Sequence, residues 1–133
     1  MQYGYFDNEK REYVIDNVAL PCSCTNYLGV EDMAAFINHT AGGYLFYKTP
    51  EYHRISRFRG NGVPMDRPGF YVYIRDNEKK DYHSISWQPV AKDLSKAKYR
   101  CRHGLSYTVY ESEYDGLASS QTMVIPRGEN VLL

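Results

Sequence analysis

What most constrains this chain is the way glycine and proline clusters cut it into short runs in which apolar and polar residues alternate. VPMDRPG at 63–69, SWQPVAKD at 86–93, YDG at 114–116 and PRGEN at 126–130 hold the residues that turn a backbone. The runs between them are about five to ten residues long, which is strand length. In GFYVYIRD, Phe70, Val72 and Ile74 fall on one face and Tyr71, Tyr73 and Arg75 on the other, the pattern of a half-buried strand. In LSYTVYESEY, Leu105, Tyr107 and Val109 share a face opposite Ser106, Thr108 and Tyr110. YDG then supplies a turn whose glycine can adopt positive φ, so a hairpin is expected there. YLFYKT at 44–49 follows AGG and reads as a strand with aromatic residues on both faces, as in a sheet covered on both sides. EDMAAFINHT places Met33, Phe36 and Ile37 at helical spacing, yet it runs directly into AGG; a strand from Ala35 to His39 is the preferred reading. Fourteen tyrosines beside one tryptophan favour strands further, because flat aromatic side chains pack well across a pleated surface. No period of 20 to 50 residues repeats, and the expectation is one all-β, antiparallel unit.

Charge and composition exclude several partner classes. Lysine plus arginine and aspartate plus glutamate number 16 each, so there is no net field to draw phosphate backbones or anionic lipid. Neither nucleic acid nor a membrane surface is an expected partner. No apolar run approaches the ~20 residues of a membrane span, and MQYGYFDNEKREYV has neither a basic n-region nor an apolar h-region. Three cysteines without an export signal argue against a disulfide framework and for a reducing cytoplasm.

QTMVIPRGENVLL gives a strand, a tight RGEN turn and the first three apolar residues of a returning strand. A strand cut at that point leaves unpaired backbone groups, so the chain is expected to be the head of a longer polypeptide.

Several constellations could carry chemistry. Glu111 and Glu113 lie two apart on one strand, and glycoside cleavage uses carboxyl groups ~5 to 9.5 Å apart; a solvated strand face is the commoner fate of such a pair. HRISRFRG gathers Arg54, Arg57 and Arg59, whose forks suit phosphate or carboxylate, although alternation puts Arg54 on the other face from Arg57 and Arg59. Asp66 and Arg67 in the next loop could pair with them. Cys22, Cys24 and Cys101 with His39, His53, His83 and His103 could be assembled into a metal site, but CSC lacks zinc-knuckle spacing, and no metal is expected. Cys101 beside His103 suggests a thiol nucleophile; without an orienting third group, structural burial is preferred. AGGY is too short for a phosphate loop. Trp87 in ISWQPV could stack on a sugar ring, against core packing as the ordinary fate of a lone tryptophan.

Taken in order, YGYFDNEKREYVI, NYLG, AGGYLFYKTPEYHRISRFR, DRPGFYVYIRD, SISWQPVAKDL, RHGLSYTVYESEYDG and VIPRGEN resemble the opening segment of the inverting β-disaccharide phosphorylases, the cellobiose and chitobiose phosphorylase family. The likeness covers essentially all of residues 1 to 133, and DRPG, SISWQPVAK and RHGLSY look more like the chitobiose branch. Two positions depart from the pattern: PCSCTNYLG stands where the family usually reads PWxNYLG, and Asp81, Tyr82 and His83 where it often reads DYW.

The resemblance implies an antiparallel β-sandwich of the supersandwich, galactose-mutarotase-like kind, here in part, preceding a linker, an α/α barrel and a C-terminal domain. It implies a cytosolic homodimer that uses inorganic phosphate as co-substrate, with no other cofactor. Phosphate attacks the anomeric carbon of a β-linked disaccharide opposite the leaving sugar, an aspartic acid protonates the glycosidic oxygen, and an α-sugar 1-phosphate and a free sugar result. One acid suffices because phosphate replaces the base-activated water of an inverting hydrolase. That aspartate lies in the barrel, so no residue of this chain matches it. The residues expected nearest to substrate are Tyr47, Arg57, Trp87, Arg102 and His103, with Arg102 and His103 read as bracing a loop at the start of a strand. The alternatives are a free-standing carbohydrate-binding β module, resting on the tyrosines and Trp87, and a remnant with no function of its own.

Overall fold

Ten strands form within residues 2–57 and 68–133, the part of the chain that the computed structural model describes. In chain order they are β1 (Gly4–Asp7), β2 (Glu12–Ile15), β3 (Thr25–Leu28), β4 (Met33–Asn38), β5 (Gly43–Tyr47), β6 (Tyr73–Asp76), β7 (Asp81–Ser84), β8 (Ala97–His103), β9 (Tyr107–Tyr114) and β10 (Leu117–Val124). They make a five-stranded sheet in the order β1-β2-β8-β9-β10, a three-stranded sheet β3-β4-β5 and a hairpin β6-β7, and every pairing is antiparallel. The expected all-β architecture is the observed one, and no helix among the described residues is long and apolar enough to cross a membrane.

The turns follow from local chemistry. The tetrapeptide DNEK occurs twice, at 7–10 and 76–79, and closes β1-β2 and β6-β7 in the same way. Asp7 Oδ1 accepts the backbone N–H groups of Glu9 and Lys10, and Asp76 Oδ1 those of Glu78 and Lys79. Each loop then ends in a residue of positive φ, Arg11 at 56° and Lys80 at 53°. The β9-β10 hairpin forms at YDG as expected: Tyr114 pairs with Leu117, and Asp115 and Gly116 both take positive φ, the requirement of a type I′ turn. Between β4 and β5, Asn38 Oδ1 gathers the N–H groups of Thr40 and Gly42. At Gly43 a Cβ would lie 1.9 Å from the Phe36 carbonyl oxygen, so only glycine allows β5 to leave that turn.

The core lies where the two larger sheets face each other. Leu28, Met33, Ala35 and Ile37 from the three-stranded sheet meet Ile15, Cys101, Tyr110 and Met123 from the five-stranded one, with Ile85 and Ile125 closing the ends. Ile15, Leu28 and Ile37 are completely buried, each worth about 1.5 to 3 kcal/mol of transfer free energy. Polar ties cross the same space: Tyr110 donates to the Asn38 carbonyl at 2.7 Å, and Asn26 Nδ2 donates to the Gly104 and Tyr107 carbonyls. A second cluster packs Trp87 and Tyr114 on Val18, Ala97 and Tyr99.

Three sequence expectations are corrected. GFYVYIRD is not one strand, and Val72 is 42% exposed. Its first half crosses between layers: Phe70 N–H bonds to the Ala41 carbonyl, Gly69 bridges Gly42, and Val72 then accepts from Ile85. Leu105 is 79% exposed and precedes β9, whose fully buried residues Thr108 and Tyr110 belong to the face opposite the expected apolar one. Arg102, His103 and Gly104 end β8 and open its turn, where they were expected to start a strand. The strand expected from Ala35 to His39 is present as β4, beginning two residues earlier and ending at Asn38.

Candidate functional site

Arg102 and His103 are neighbours in sequence but lie on opposite faces of the five-stranded sheet, as strand alternation requires. On the outer face, Arg102 Nη1 donates to Glu12 Oε1 at 2.8 Å and to Oε2 at 3.1 Å, while Nη2 donates to Glu111 Oε1 at 3.0 Å. Tyr107 O–H donates to Glu12 Oε1 at 2.6 Å. Pairing of Val14 with Arg102, and of Arg102 with Val109, brings three strands together at this point. Glu12 is only 3% exposed. Burial pushes its carboxyl up, but the Tyr107 hydroxyl and the Arg102 guanidinium outweigh that and hold it below the ordinary carboxylate range. The guanidinium fork is thus committed to two carboxylates.

His103 points into the core. Its Nδ1 lies 3.0 Å from Thr108 Oγ1 and its Nε2 3.4 Å from the Cys24 carbonyl, which only Nε2–H can satisfy, so Nδ1 accepts from the hydroxyl. Asn26 Nδ2 donates to that same hydroxyl oxygen. Burial pulls the His103 imidazole down to about 4. His39 is held alike: its Nδ1 accepts the Cys24 N–H at 3.2 Å and its Nε2 donates to the Val18 carbonyl at 3.0 Å, and burial lowers it too. Two neutral imidazoles therefore clamp Cys24 from both sides. Cys101 Sγ lies 3.7 to 3.8 Å from the His103 ring nitrogens, fully buried, and burial drives its thiol far up. A thiol so protonated, beside an imidazole whose free lone pair already accepts from Thr108, is a packing group.

The remaining candidates are dispersed. Trp87 sits in the turn after β7 with φ at 71°, before a cis Gln88–Pro89 bond, and its Nε1–H donates to the Lys92 carbonyl at 3.0 Å. Tyr47 ends β5; its hydroxyl donates to Asp32 Oδ2 at 2.9 Å, and Lys48 lies over its ring. Arg57 is exposed, as is Arg54, which bridges Phe46 through its backbone. Arg59, Asp66 and Arg67 lie outside the described residues. Among the described residues, no hydrogen bond, ion pair or ring contact joins Tyr47, Trp87 and the Arg102–His103 pair to one another. Glu113 binds Lys98 at 3.0 Å and Glu111 binds Arg102, so the two glutamates act as rungs of a charge ladder.

A groove of about 780 Å³ runs along that ladder, between Asp16 and Leu94 on one side and Ala118 and Ser120 on the other. Arg100 in its floor donates to Asp16 at 2.6 Å. Its lining mixes apolar surface with charged groups and sets three carboxylates, Asp16, Glu111 and Glu113, against two cations, Lys98 and Arg100, a balance that disfavours a free anion.

Sequence reasoning missed Glu12, Tyr107 and Asn26. Glu12 meets Arg102 across 90 residues and Tyr107 across 95, and nothing local to EYVI announces it. On the outer face of the three-stranded sheet, Tyr27, Phe36, Tyr44 and Phe46 form an aromatic row with centroids 5.2 to 5.8 Å apart, which alternation in YLFYKT foreshadowed for two of them.

Comparison with known proteins places this architecture. Residues 11–133 match the family described as glycosyl hydrolase 94, supersandwich domain. The chain is 53% identical over 130 residues to N,N'-diacetylchitobiose phosphorylase of Vibrio proteolyticus and 52% identical to that of Vibrio furnissii, in each case over 98% of this chain and 16% of the relative. It is 30% identical to solabiose phosphorylase of Paenibacillus borealis, over 92% of this chain and 16% of that protein. The chain therefore spans about 16% of the length of these relatives.

Proposed function

Because the chain belongs to the glycosyl hydrolase 94 supersandwich family, we propose that it is the N-terminal sandwich segment of a disaccharide phosphorylase that cleaves N,N'-diacetylchitobiose with inorganic phosphate. The observation that carries this reading is the step in identity, from 52–53% with the two chitobiose phosphorylases to 30–31% with relatives named for other disaccharides. The reaction transfers the glycosyl group to phosphate with inversion and releases an α-sugar 1-phosphate and a free sugar. Its acid comes from a part of the enzyme beyond these residues, and the sandwich supports the catalytic domain and a cytoplasmic homodimer. Committed side chains support a structural part for this segment: Arg102, Tyr47 and Trp87 each direct their polar atoms to groups within the chain. The carbohydrate-binding alternative draws less support, since the Trp87 indole N–H that would bond a sugar hydroxyl is taken by Lys92.

The test is phosphorolysis by the full-length polypeptide that carries this segment, followed as sugar 1-phosphate released from N,N'-diacetylchitobiose, with cellobiose in parallel. Turnover of the acetylated disaccharide and not of cellobiose is expected. Preference for cellobiose, or hydrolysis without phosphate, would overturn the assignment.

A further inference from the structure

We propose that the open edge of β10 is the docking site for one further β-strand, contributed by the residues that directly follow Leu133 in the longer polypeptide. The inference rests on the reading above that this chain is part of a larger enzyme, which the 16% coverage of its relatives supports.

Three observations carry it. First, among the described residues β10 is a terminal strand of its sheet, and its sequence LASSQTMV contains no charged residue and no proline. Edges left to solvent are ordinarily blunted by charge, proline or brevity, and this one is eight residues long. Second, pairing on that edge has begun: Val124 N–H donates to the Leu133 carbonyl and Leu133 N–H to the Val124 carbonyl, both at 3.0 Å. The tight Pro126–Glu129 turn returns the chain antiparallel, and Leu132 packs on the core beside Met123. Third, the reciprocal pair fixes the register. In an antiparallel ladder the residues that present both backbone groups to one neighbour recur at every second position. Val124 faces Leu133, so Thr122, Ser120 and Ala118 present their N–H and C=O groups to the open edge, and all three are exposed.

The incoming strand thus runs antiparallel to β10, with the residue after Leu133 opposite Met123. Met123, Gln121 and Ser119 share the inner face, so the first, third and fifth residues after Leu133 turn inward. Those positions are expected to be apolar or small, and the alternate ones polar. The new strand also walls the groove beside Ala118 and Ser120.

The experiment is amide hydrogen exchange on the full-length polypeptide, resolved to single residues of 117–124 and repeated over a range of protein concentrations. Ala118, Ser120 and Thr122 are expected to exchange on the order of 100-fold or more below the free-chain rate, independent of concentration. Ser120→Pro, which removes an N–H directed at the edge and leaves the β9 ladder intact, is expected to abolish that protection and lower the melting temperature by ~3 °C or more. Fast exchange at these three amides in a polypeptide that continues past Leu133 would overturn the inference and leave the enzyme assignment standing. Protection confined to concentrations at which the mass doubles would instead give the edge to a second copy. An intact mass ending at Leu133 would remove both readings together.

Discussion

Replacing Arg102 by methionine keeps the aliphatic stem and deletes the guanidinium, leaving Glu12, among the described residues, with one hydrogen bond, from Tyr107. Breaking a fully buried ion pair from one side costs about 3 to 5 kcal/mol because the surviving charge is stranded. Glu12 is nearly inaccessible but lies just beneath the outer surface, and the Arg102 side chain is 23% exposed, so solvent screens part of the loss. A cost of about 2 to 3 kcal/mol is therefore expected. Urea unfolding followed by Trp87 fluorescence measures it, and Glu12→Gln with Arg102→Met should cost less than the two single changes summed. The sign with pH is a stricter test. In the native protein the Glu12 carboxyl lies below its unfolded value, so it contributes stability above the unfolded pKa that is lost as pH falls through the folded one. Without Arg102 only the Tyr107 hydroxyl and the Lys10 charge still lower the carboxyl against its burial, so the variant loses less stability on acidification than the native protein. The stability gap between native protein and variant should therefore narrow on going from pH 7 toward pH 4. A gap that stays constant would refute the argument that Arg102 acts by neutralising Glu12.

The buried histidines add a ramp of the same direction at higher pH: His103 lies at about 4 when folded against an ordinary 6.5, so stability is full above 6.5 and lost as pH falls toward 4. The slope is about 1.4 kcal/mol per pH unit for each such histidine, or about 3 kcal/mol for His103 over its window, and His103→Gln should remove its share from a urea-midpoint profile. Gly116→Ala meets no neighbouring atom but must keep φ near +80°, so a loss of about 1 kcal/mol from backbone strain is expected in thermal unfolding. Tyr99→Phe deletes a buried hydroxyl without a hydrogen-bond partner among the described residues, so the melting temperature should hold or rise, by up to about 1 kcal/mol in stability.

Strand periodicity made the class legible, because alternation and glycine punctuation are local properties. YDG closes the β9-β10 hairpin where its residues require, and β4 lies where AGG forced a strand reading on EDMAAFINHT. The two DNEK loops were readable by the same logic, as aspartates that bond the amides two and three residues on. Faces were harder. Thr108 is buried because Asn26 and His103 satisfy its hydroxyl from other elements, and a polar residue with such partners carries no local sign of burial. Val72 misleads in the converse way, since its run of alternation spans a layer crossing. The Arg102 site could be suspected from RHG, but its partner Glu12 could not, because sheet order β2-β8-β9 is a non-local fact.

The electrostatics of the outer face bear on where a phosphorylase would put its chemistry. Arginine recognises phosphate through free forks that accept two oxygens at once. Here Lys98 is held by Glu113, Arg100 by Asp16, and Arg102 by both Glu12 and Glu111, so three cations meet four carboxylates. A phosphate entering the groove would have to displace a carboxylate from a bond of 2.6 to 3.0 Å and would face a surplus of one negative charge among these groups. Glu111 and Glu113 are likewise occupied in holding cations. A ladder of this kind fixes strand register and presents a rigid polar wall to a neighbouring surface. These are the properties of a scaffold, and they support the structural part proposed for this segment.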